Sequence, residues 1–381
     1  MPNDTLATPD ERTRRRIAPA DLSDFPAVPD LLRRLGVGSL TEESLSAYPG
    51  RNDNWAGTTT RGTQVFVKHI SGEPAQSLRR FRRVLGFEQV VSAAAEEASL
   101  PRPRLIGSDE VARLLAFELV ADASSGSDLA AQDEFGTPLA REAGRILATL
   151  HSLRPAGGAD IEDTPLPLPP LGHLRSLPWA LYTRASAGAL EAWRLLQGDP
   201  ALHEALHGLR RDEARAPRTP IHGDLRLDQF LTAPGSRMLL TDWEEFRLGD
   251  PARDLGAFAG DWLFRAVLKV PAGLPQDSGA PVSHDEVVAT GIAELARVTP
   301  LIAAFHDAYT QARPDSTEQD PDLLTRATAF AGWHLLDRLL ATSERSARLG
   351  AAERAAAGIG RTALLSPDAF VSVLGWKGTQ A

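Results

Sequence analysis

The segment HGDLRLDQFL at 222–231, followed by TDWEE at 241–245, constrains the fold of this chain more than any other feature of its sequence. Asp224 and Gln229 lie five residues apart, in a loop that opens on a glycine. The run FLTA then leads through a Pro-Gly-Ser turn signal into MLLTD, which ends at Asp242. The segment therefore predicts a polar loop, a β-hairpin and a carboxylate at the end of the hairpin.

This order of elements is the one that phosphoryl transfer by an enzyme of the protein-kinase type requires. We expect Asp224 to orient the substrate hydroxyl and accept its proton, Gln229 to ligate Mg²⁺ through its amide oxygen, and Asp242 to bridge the metal to the phosphates. Each residue alone also has a structural interpretation, as an Asx turn, a surface amide or a strand-end cap. His222 and Asp254 are expected to be structural, with Asp254 anchoring the loop or capping the next helix.

A strand lysine upstream completes the candidate site. Lys68 lies near the end of the strand QVFVKHI, where a compact ammonium group can reach the α- and β-phosphates of a nucleotide. The alternative is a solvated lysine on an edge strand. Glu88, on the next predicted helix, favours the first interpretation because its carboxylate can pair with Lys68, and Glu96 and Glu97 are alternatives for that role. The chain has 41 basic residues, of which three are lysines, namely Lys68, Lys269 and Lys377.

The loop GRNDNWAG at 50–57 precedes this strand and contains two glycines and two asparagines. Backbone amides in such a loop can cover the β- and γ-phosphates. Asn52, Asn54 and Gly57 are therefore candidate cofactor-binding residues. The alternative is an ordinary Asn/Gly turn, and the spacing to Lys68 favours the nucleotide loop.

Composition excludes several classes of function. A net charge of −9 argues against nucleic acid as a partner. Cysteine is absent, which excludes disulfides and thiolate metal sites and favours a reducing compartment. The sequence shows no apolar run of membrane-spanning length, and its first residues lack the apolar segment of a secretory signal. We expect a cytoplasmic protein with no membrane association.

Strand and helix patterns divide the chain into two parts. The expected elements are strands within 45–70 around an Arg61-Gly62 turn, a helix at 76–98, a strand at 111–120, and helices at 138–153, 186–210, 253–269, 286–311 and 322–348. We therefore expect a flexible N-terminus over 1–20, a small β-rich N-lobe with one helix over 21–120, and a larger, mainly helical C-lobe over 121–381.

These residues together resemble the aminoglycoside phosphotransferase and choline kinase-like family, a two-lobed relative of the protein kinases. The resemblance spans residues 45–265 and is carried by VFVKHI, Glu88, HGDLRLDQFL, TDWEE and GDPARDLG. It implies an α+β, protein-kinase-like fold with ATP and Mg²⁺ as cofactors. It also implies that the backbone of residues 118–121 meets the adenine, which makes Glu118 and Val120 candidate cofactor-binding residues.

The chain departs from the family pattern at three places. Gln229 stands where the family usually has Asn, and the residues Arg226, Leu227 and Asp228 stand where it usually has His-Pro-Gly. Glu244 stands where protein kinases have Gly, and an acidic residue there could support a second metal ion. The departure at Gln229 leaves open a pseudokinase, which would bind nucleotide or a partner without catalysis.

The acceptor is a hydroxyl-bearing molecule that the family resemblance does not specify. The RLDQF loop, with DWEEF and DPARD, is similar to phosphotransferases of actinobacterial ribosomal-peptide pathways in antibiotic biosynthesis. In those pathways phosphorylation of a peptide Ser or Thr precedes elimination, so a lyase or cyclase would act beside the kinase. The alternative acceptor is a small molecule such as an aminoglycoside, a choline-like compound or a sugar alcohol.

Overall fold

The computed structural model describes residues 16–94, 100–155, 161–166, 171–233, 235, 237–274, 282–314 and 319–376. Glu96 and Glu97, the alternative partners for Lys68, lie outside the described residues. So does most of the expected flexible segment 1–20.

The fold is α+β and protein-kinase-like, with its β-sheet in the N-terminal region and mostly helices in the C-terminal region, as the sequence predicted. The strands are β1 Asn54–Thr58, β2 Gln64–His69, β3 Leu105–Asp109, β4 Leu114–Glu118, β5 Ser124–Ser125, β6 Thr219–Ile221, β7 Phe230–Thr232, β8 Leu239–Leu240 and β9 Arg247–Gly249. The helices are α1 Ala27–Arg34, α2 Pro74–Ser92, α3 Gly126–Ala131, α4 Thr137–Ser152, α5 Leu171–Arg175, α6 Trp179–Tyr182, α7 Ala187–Gln197, α8 Pro200–Glu213, α9 Ala252–Gly273, α10 His284–Ala312, α11 Leu323–Ser343, α12 Ala351–Leu365 and α13 Pro367–Val371.

The chain forms two compact units, which are interleaved along the sequence. The first unit comprises residues 1–135, 153–162 and 227–247. The second comprises residues 136–152, 163–226 and 248–381. The segment that carries Gln229 and Asp242 thus belongs to the same unit as the N-terminal sheet.

The first unit is built on a four-stranded antiparallel sheet in the order β1-β2-β4-β3. Lys68 on β2 pairs with Leu115 on β4, which places the lysine on a central strand and not on an edge strand. The Arg61-Gly62 turn between β1 and β2 is confirmed, and Gly62 has a positive φ of 78°. One face of the sheet packs on α1, with a core of Val28, Leu31, Leu32, Trp55, Val65, Val67, Leu114 and Ala116.

Several elements of this unit were not predicted, among them α1, β3, β5 and α3. Helix α1 covers the sheet, so the described part of the region 21–120 contains two α-helices and not one. Strand β3 pairs with β4 as a hairpin, where the sequence predicted a single strand at 111–120. The turn residues 110–113 interrupt that apolar run, because Arg113 adopts a positive φ of 53° and ends the turn.

The second unit is helical, and close contacts between helix backbones hold it together. Gly256 on α9 shows this best, since a Cβ atom there would lie 2.3 Å from the carbonyl oxygen of Ala327 on α11. Phe258 of α9 stacks on Phe305 of α10 with ring centroids 3.8 Å apart. Only glycine at position 256 allows the backbone of α9 to lie this close to Ala327, which explains the Gly in an otherwise helix-forming run.

Helix α10 is the one described helix with the length and hydropathy of a membrane-spanning segment, over 29 residues. This finding differs from the expectation that the chain has no apolar run of membrane-spanning length. Length and composition alone are weak evidence, because core helices of soluble proteins meet the same criteria. The C-terminal half of α10 contributes Ile302, Phe305 and Tyr309 to the buried core of the second unit.

Candidate active site

The β7–β8 hairpin brings Gln229 and Asp242 to the same end of a short sheet. Phe230 pairs with Leu240, and the backbone N–H of Thr241 donates a 3.0 Å hydrogen bond to the carbonyl oxygen of Gln229. Asp242 directly follows Thr241, so hairpin register places it beside Gln229. The side chain of Gln229 is buried within the first unit, which excludes its interpretation as a surface amide.

Asp242 adopts a left-handed backbone conformation, with φ of 70° and ψ of 61°. Such a conformation costs a residue with a Cβ atom roughly 1–2 kcal/mol, although Asp and Asn tolerate it better than most. The surrounding structure therefore holds Asp242 in a conformation that it would not adopt by itself. Backbone outliers of this kind concentrate at functional sites.

Lys68 lies between two carboxylates of this segment. Its Nζ atom is 2.7 Å from Oδ1 of Asp242 and 2.6 Å from Oε1 of Glu244. Burial alone would lower the pKa of Lys68, but the attraction of Asp242 and Glu244 outweighs burial, so that the pKa is raised above its ordinary value. Lys68 is thus a buried, charged ammonium group.

Glu244 is the most heavily contacted carboxylate of the site. Its Oε1 accepts a hydrogen bond from Asn52 Nδ2 at 2.5 Å as well as from Lys68, and its Oε2 accepts from Arg80 Nη1 at 2.8 Å and Arg51 Nη2 at 3.3 Å. The role of Glu244 as a metal ligand stays a prediction. A metal ion there would compete with these four donors for the carboxylate oxygens.

Glu88 does not pair with Lys68, which corrects the expected partner of the lysine. Its carboxylate instead binds Arg102, with Nη2 2.8 Å from Oε2 and Nε 3.2 Å from both oxygens. The physical reason is that the guanidinium fork of Arg102 satisfies Glu88, while Lys68 is already neutralised by two nearer carboxylates. Lys68 and Glu88 lie in the same unit but belong to different ion pairs.

The candidate phosphate loop is shaped by its own asparagines. The side chain of Asn54 accepts from the backbone N–H of Tyr48 at 2.7 Å and donates to its carbonyl oxygen at 2.8 Å. Gly57 lies within β1, where a Cβ atom would be 3.0 Å from the carbonyl oxygen of Ser44. Asn52 reaches Glu244, as described above. These contacts give each residue a structural role, and nucleotide contact stays a prediction for all three.

A cleft lies within the first unit and contains the polar residues just described. Its polar lining includes Lys68, Gln229, Thr241, Asp242 and Glu244. Its apolar lining includes Tyr48, Phe66, Val84, Leu115, Phe117, Leu119, Val120, Leu231 and Trp243. Glu118 also lines the cleft, and its carboxylate pairs with Arg104 at 2.5 Å. Apolar walls with a few convergent polar groups are typical of a small-molecule site.

The loop that carries Asp224 belongs to the second unit and is anchored there by Asp254. The Asp254 carboxylate accepts the backbone N–H of His222 at 2.7 Å and that of Gly223 at 2.9 Å. The structure thus confirms that Asp254 anchors the loop. His222 is structural, because its Nδ1 accepts the backbone N–H of Asp224 at 3.4 Å. The carboxylate of Asp224 itself lies 2.7 Å from Nη1 of Arg226.

A buried histidine supports this anchor from α4. His151 Nε2 lies 3.1 Å from Asp254, and its Nδ1 lies 3.0 Å from the hydroxyl of Tyr309. Burial would raise the pKa of Asp254, but the hydrogen bonds from His151 and Gly223 outweigh it, so the pKa is lowered. Burial is also the main reason why the pKa of His151 is lowered. The loop is therefore held by an ionised carboxylate beside a neutral imidazole.

Comparison with known proteins identifies the family. The model of the phosphotransferase enzyme family matches residues 45–281, which is more than half of the chain. The chain belongs to the phosphotransferase enzyme family. This membership confirms the expectation that the chain is a phosphotransferase. No curated protein matches the chain in sequence.

Solved structures with the same fold include other phosphotransferases. The choline kinase LicA from Streptococcus pneumoniae has a TM-score of 0.52 and 15% identity, with 90% of this chain and 99% of that chain covered. An ethanolamine kinase from Plasmodium vivax has a TM-score of 0.52 and 12% identity, with coverages of 91% and 88%. The amicoumacin kinase hAmiN, solved in complex with AMP-PNP, Ca²⁺ and Ami, has a TM-score of 0.50 and 13% identity, with coverages of 91% and 96%. At these identities the likeness shows the fold alone.

The donor set of this phosphotransferase fits Mg²⁺. Asp242 and Gln229 offer a carboxylate and an amide oxygen in one cleft, which are the hard oxygen ligands that Mg²⁺ prefers. Among the residues that the structure describes, no group of three or more His, Asp and Glu forms a ready-made metal site. Magnesium is usually bound by one or two carboxylates together with substrate phosphates, so the residues present suit a shared metal ion.

Arg80 is the site residue that sequence reasoning missed. It lies on the buried face of α2 with Ser77, Val84 and Phe87, which recur at helical spacing. An arginine on an apolar helix face must find a buried carboxylate, because an unpaired buried charge is costly. That signal was available in the sequence, but the four arginines of RRFRR at 79–83 made the buried one hard to distinguish.

Proposed function

We propose that this phosphotransferase is an ATP- and Mg²⁺-dependent kinase that moves the γ-phosphoryl group to a hydroxyl of a natural-product precursor peptide. The observation that supports it most directly is that Lys68, Gln229 and Asp242 line one cleft whose other walls are apolar. Such a cleft offers a place for an adenine ring beside a place for phosphates and a divalent cation.

In this proposal residues 21–120 form the N-lobe and bind most of the nucleotide. The apolar walls receive the adenine, and the backbone of residues 118–121 is the expected hydrogen-bonding edge for it. Lys68 binds the α- and β-phosphates, and the loop at 50–57 covers the outer phosphates. When bound, Mg²⁺ neutralises phosphate charge, with Gln229 and Asp242 as its protein ligands.

Asp224 is the residue that acts on the acceptor, in a C-lobe over 121–381. It receives the hydroxyl proton and aligns the oxygen with the γ-phosphorus. Asp254 and His151 fix the loop that carries it, so the carboxylate is preorganised before substrate binds. Arg226 balances the charge of Asp224 at 2.7 Å.

A peptide acceptor is supported by exposed apolar surface on the unit that carries Asp224. Trp179 is 77% exposed and stacks on Tyr182, which is 50% exposed, with ring centroids 5.9 Å apart. Val288 and Ile292 on α10 are also exposed. Exposed apolar side chains such as this stacked pair can mark protein or peptide interaction sites. We place the enzyme in the cytoplasm, beside a lyase or cyclase that consumes the phosphorylated peptide.

The test is transfer of labelled γ-phosphate from ATP with two sets of acceptors. One set consists of peptides with a single Ser or Thr at varied positions, and the other consists of choline, kanamycin and a hexose. The proposal predicts label on peptide hydroxyls, with no transfer by Asp224→Asn. Transfer to a small molecule alone would replace the peptide by that acceptor, and no transfer to either set with intact nucleotide binding would favour the pseudokinase.

A further inference from the structure

Glu244 is held by protein side chains on both of its oxygens. The carboxylate is almost fully buried, with 6% of its side chain exposed. Lys68 and Asn52 bind one oxygen, while Arg80 and Arg51 bind the other. A carboxylate with this many donors is fixed in direction.

We propose that Glu244 is the carboxylate that orients Lys68 and that Arg80 is the positioning residue that holds Glu244. This assignment rests on the proposed role of Lys68 in binding the phosphates. It gives Glu244 a different role from the metal ligand that the sequence suggested. In this assignment the contribution of α2 to the site is Arg80, and not Glu88.

The geometry of Arg80 suits this role. Its Nη1 donates to Glu244 at 2.8 Å, and its Nη2 donates to the carbonyl oxygen of Ser71, just beyond the end of β2. The side chain of Arg80 is 10% exposed, so its orientation is set by packing as well as by these two contacts. A planar fork held at both ends transmits its position to Glu244, which a flexible side chain would not do.

The charges around Glu244 are also complementary. Lys68 and Arg80 face Asp242 and Glu244 in a partly buried cluster, and the more exposed Arg51 adds a third cation beside Glu244. Because Glu244 is held by side chains of the protein, Lys68 keeps one fixed partner whichever ligand Asp242 binds. Glu88 cannot supply this function while Arg102 occupies both of its oxygens.

The test uses the scarcity of lysine in this chain. With three lysines, protein labelled with ¹⁵N-lysine gives at most three side-chain ammonium signals, and Lys68→Met identifies the signal of Lys68. Spectra of the full chain are recorded without metal or nucleotide. A buried, paired ammonium group exchanges its protons slowly and gives a visible signal, whereas a solvated one exchanges quickly and gives none.

The proposal predicts that Arg80→Met abolishes or strongly shifts the Lys68 signal. The matched control is Arg82→Met, which removes an exposed arginine of the same helix that pairs with Glu110 and should leave the signal unchanged. Glu244→Gln keeps the volume of the side chain and should also remove the signal, which keeps the test decisive if Arg80→Met does not fold. An unchanged Lys68 signal in a folded Arg80→Met or Glu244→Gln variant would overturn the proposal.

A second measurement separates positioning from metal binding. The Mg²⁺ concentration for half-maximal ATP binding should be unchanged in Arg80→Met, while turnover falls about tenfold because the phosphates are misaligned. A raised Mg²⁺ requirement, as in Asp242→Asn, would instead assign Glu244 to the metal and overturn the proposal. Failure of the wild-type protein to bind ATP would contradict the proposed function itself. The ammonium spectra are recorded without nucleotide, so they still test the roles of Glu244 and Arg80 in that case.

Discussion

Oε1 of Glu244 lies 2.6 Å from the ammonium group of Lys68, and this pair connects the central strand of the sheet to the segment after the β7–β8 hairpin. The hairpin register places Asp242 beside the same lysine at 2.7 Å. The candidate nucleotide site is therefore a property of one compact unit.

The first prediction concerns the acceptor base. Asp224→Asn should lower phosphoryl transfer roughly a thousandfold, because the amide cannot accept the hydroxyl proton. ATP affinity should change little, since the nucleotide cleft is lined by other residues. Asp212→Asn is the matched control, because Asp212 is also half-exposed and pairs with an arginine of its own segment. Near wild-type turnover by Asp224→Asn would remove the residue from the mechanism.

The second prediction concerns Gln229. Gln229→Ala should raise the Mg²⁺ concentration needed for half-maximal ATP binding by about tenfold or more, because it removes an oxygen ligand. For Gln229→Asn this Mg²⁺ concentration should lie between those of wild type and Gln229→Ala, since Asn keeps the amide oxygen but withdraws it by one methylene. Calorimetric titration of ATP at graded Mg²⁺ measures both. An unchanged Mg²⁺ dependence in Gln229→Ala would show that the residue does not ligate the metal.

The third prediction concerns the loop anchor. Asp254→Asn turns an N–H donor toward the backbone donors of His222 or Gly223, so the protein should lose about 2–3 kcal/mol of unfolding free energy. Turnover should fall more than ATP affinity, because the loop of Asp224 loses its fixed position. Urea unfolding and steady-state kinetics measure the two effects. Asp285→Asn, in the first turn of α10, is an exposed control, and equal stability of the two variants would refute the anchor.

The fourth prediction concerns stability at mildly acidic pH. Burial lowers the pKa of His306 from 6.5 to about 4, and among the described residues its Nε2 has no hydrogen-bond partner. Since the unfolded chain binds this proton more readily than the folded protein, stability is lost as pH falls from about 6.5 toward 4.

At pH 5 the loss attributable to His306 is about 2 kcal/mol relative to pH 8. His306→Gln should remove that part of the slope, whereas His284→Gln, at the exposed start of α10, should not. Urea unfolding at several pH values measures the slope. A slope that is the same in His306→Gln and in wild type would contradict the account.

The sequence predicted the order of the site but not all of its pairings. Gln229 and Asp242 could be placed together by local rules, because one hairpin joins them. Lys68 precedes Asp242 by 174 residues, and it was placed with them by the order of elements that phosphoryl transfer requires. The anchoring role of Asp254 was one of two expected structural roles, since the residue opens the helix just after the site.

The partner of Lys68 could not be predicted in this way. Glu88 and Arg80 lie on one helix eight residues apart, and the choice between them depends on which side chains approach from distant segments. Arg102 comes from the connection before β3 and satisfies Glu88, which leaves Glu244 to Lys68 and Arg80. Helix α1 and strand β3 were missed because an eight-residue helix and a strand with few β-branched residues give little periodic signal.

ATP binding with and without Mg²⁺ is the most direct test of the central claim, which is that the cleft around Lys68, Gln229 and Asp242 is a metal-dependent nucleotide site. Calorimetric titration should show ATP binding in Mg²⁺ that weakens at least about tenfold in EDTA. Asp242→Asn, which retains tolerance for the left-handed backbone, should fold normally and lose the Mg²⁺ effect. Binding of equal strength with and without Mg²⁺, in wild type and Asp242→Asn alike, would contradict the account.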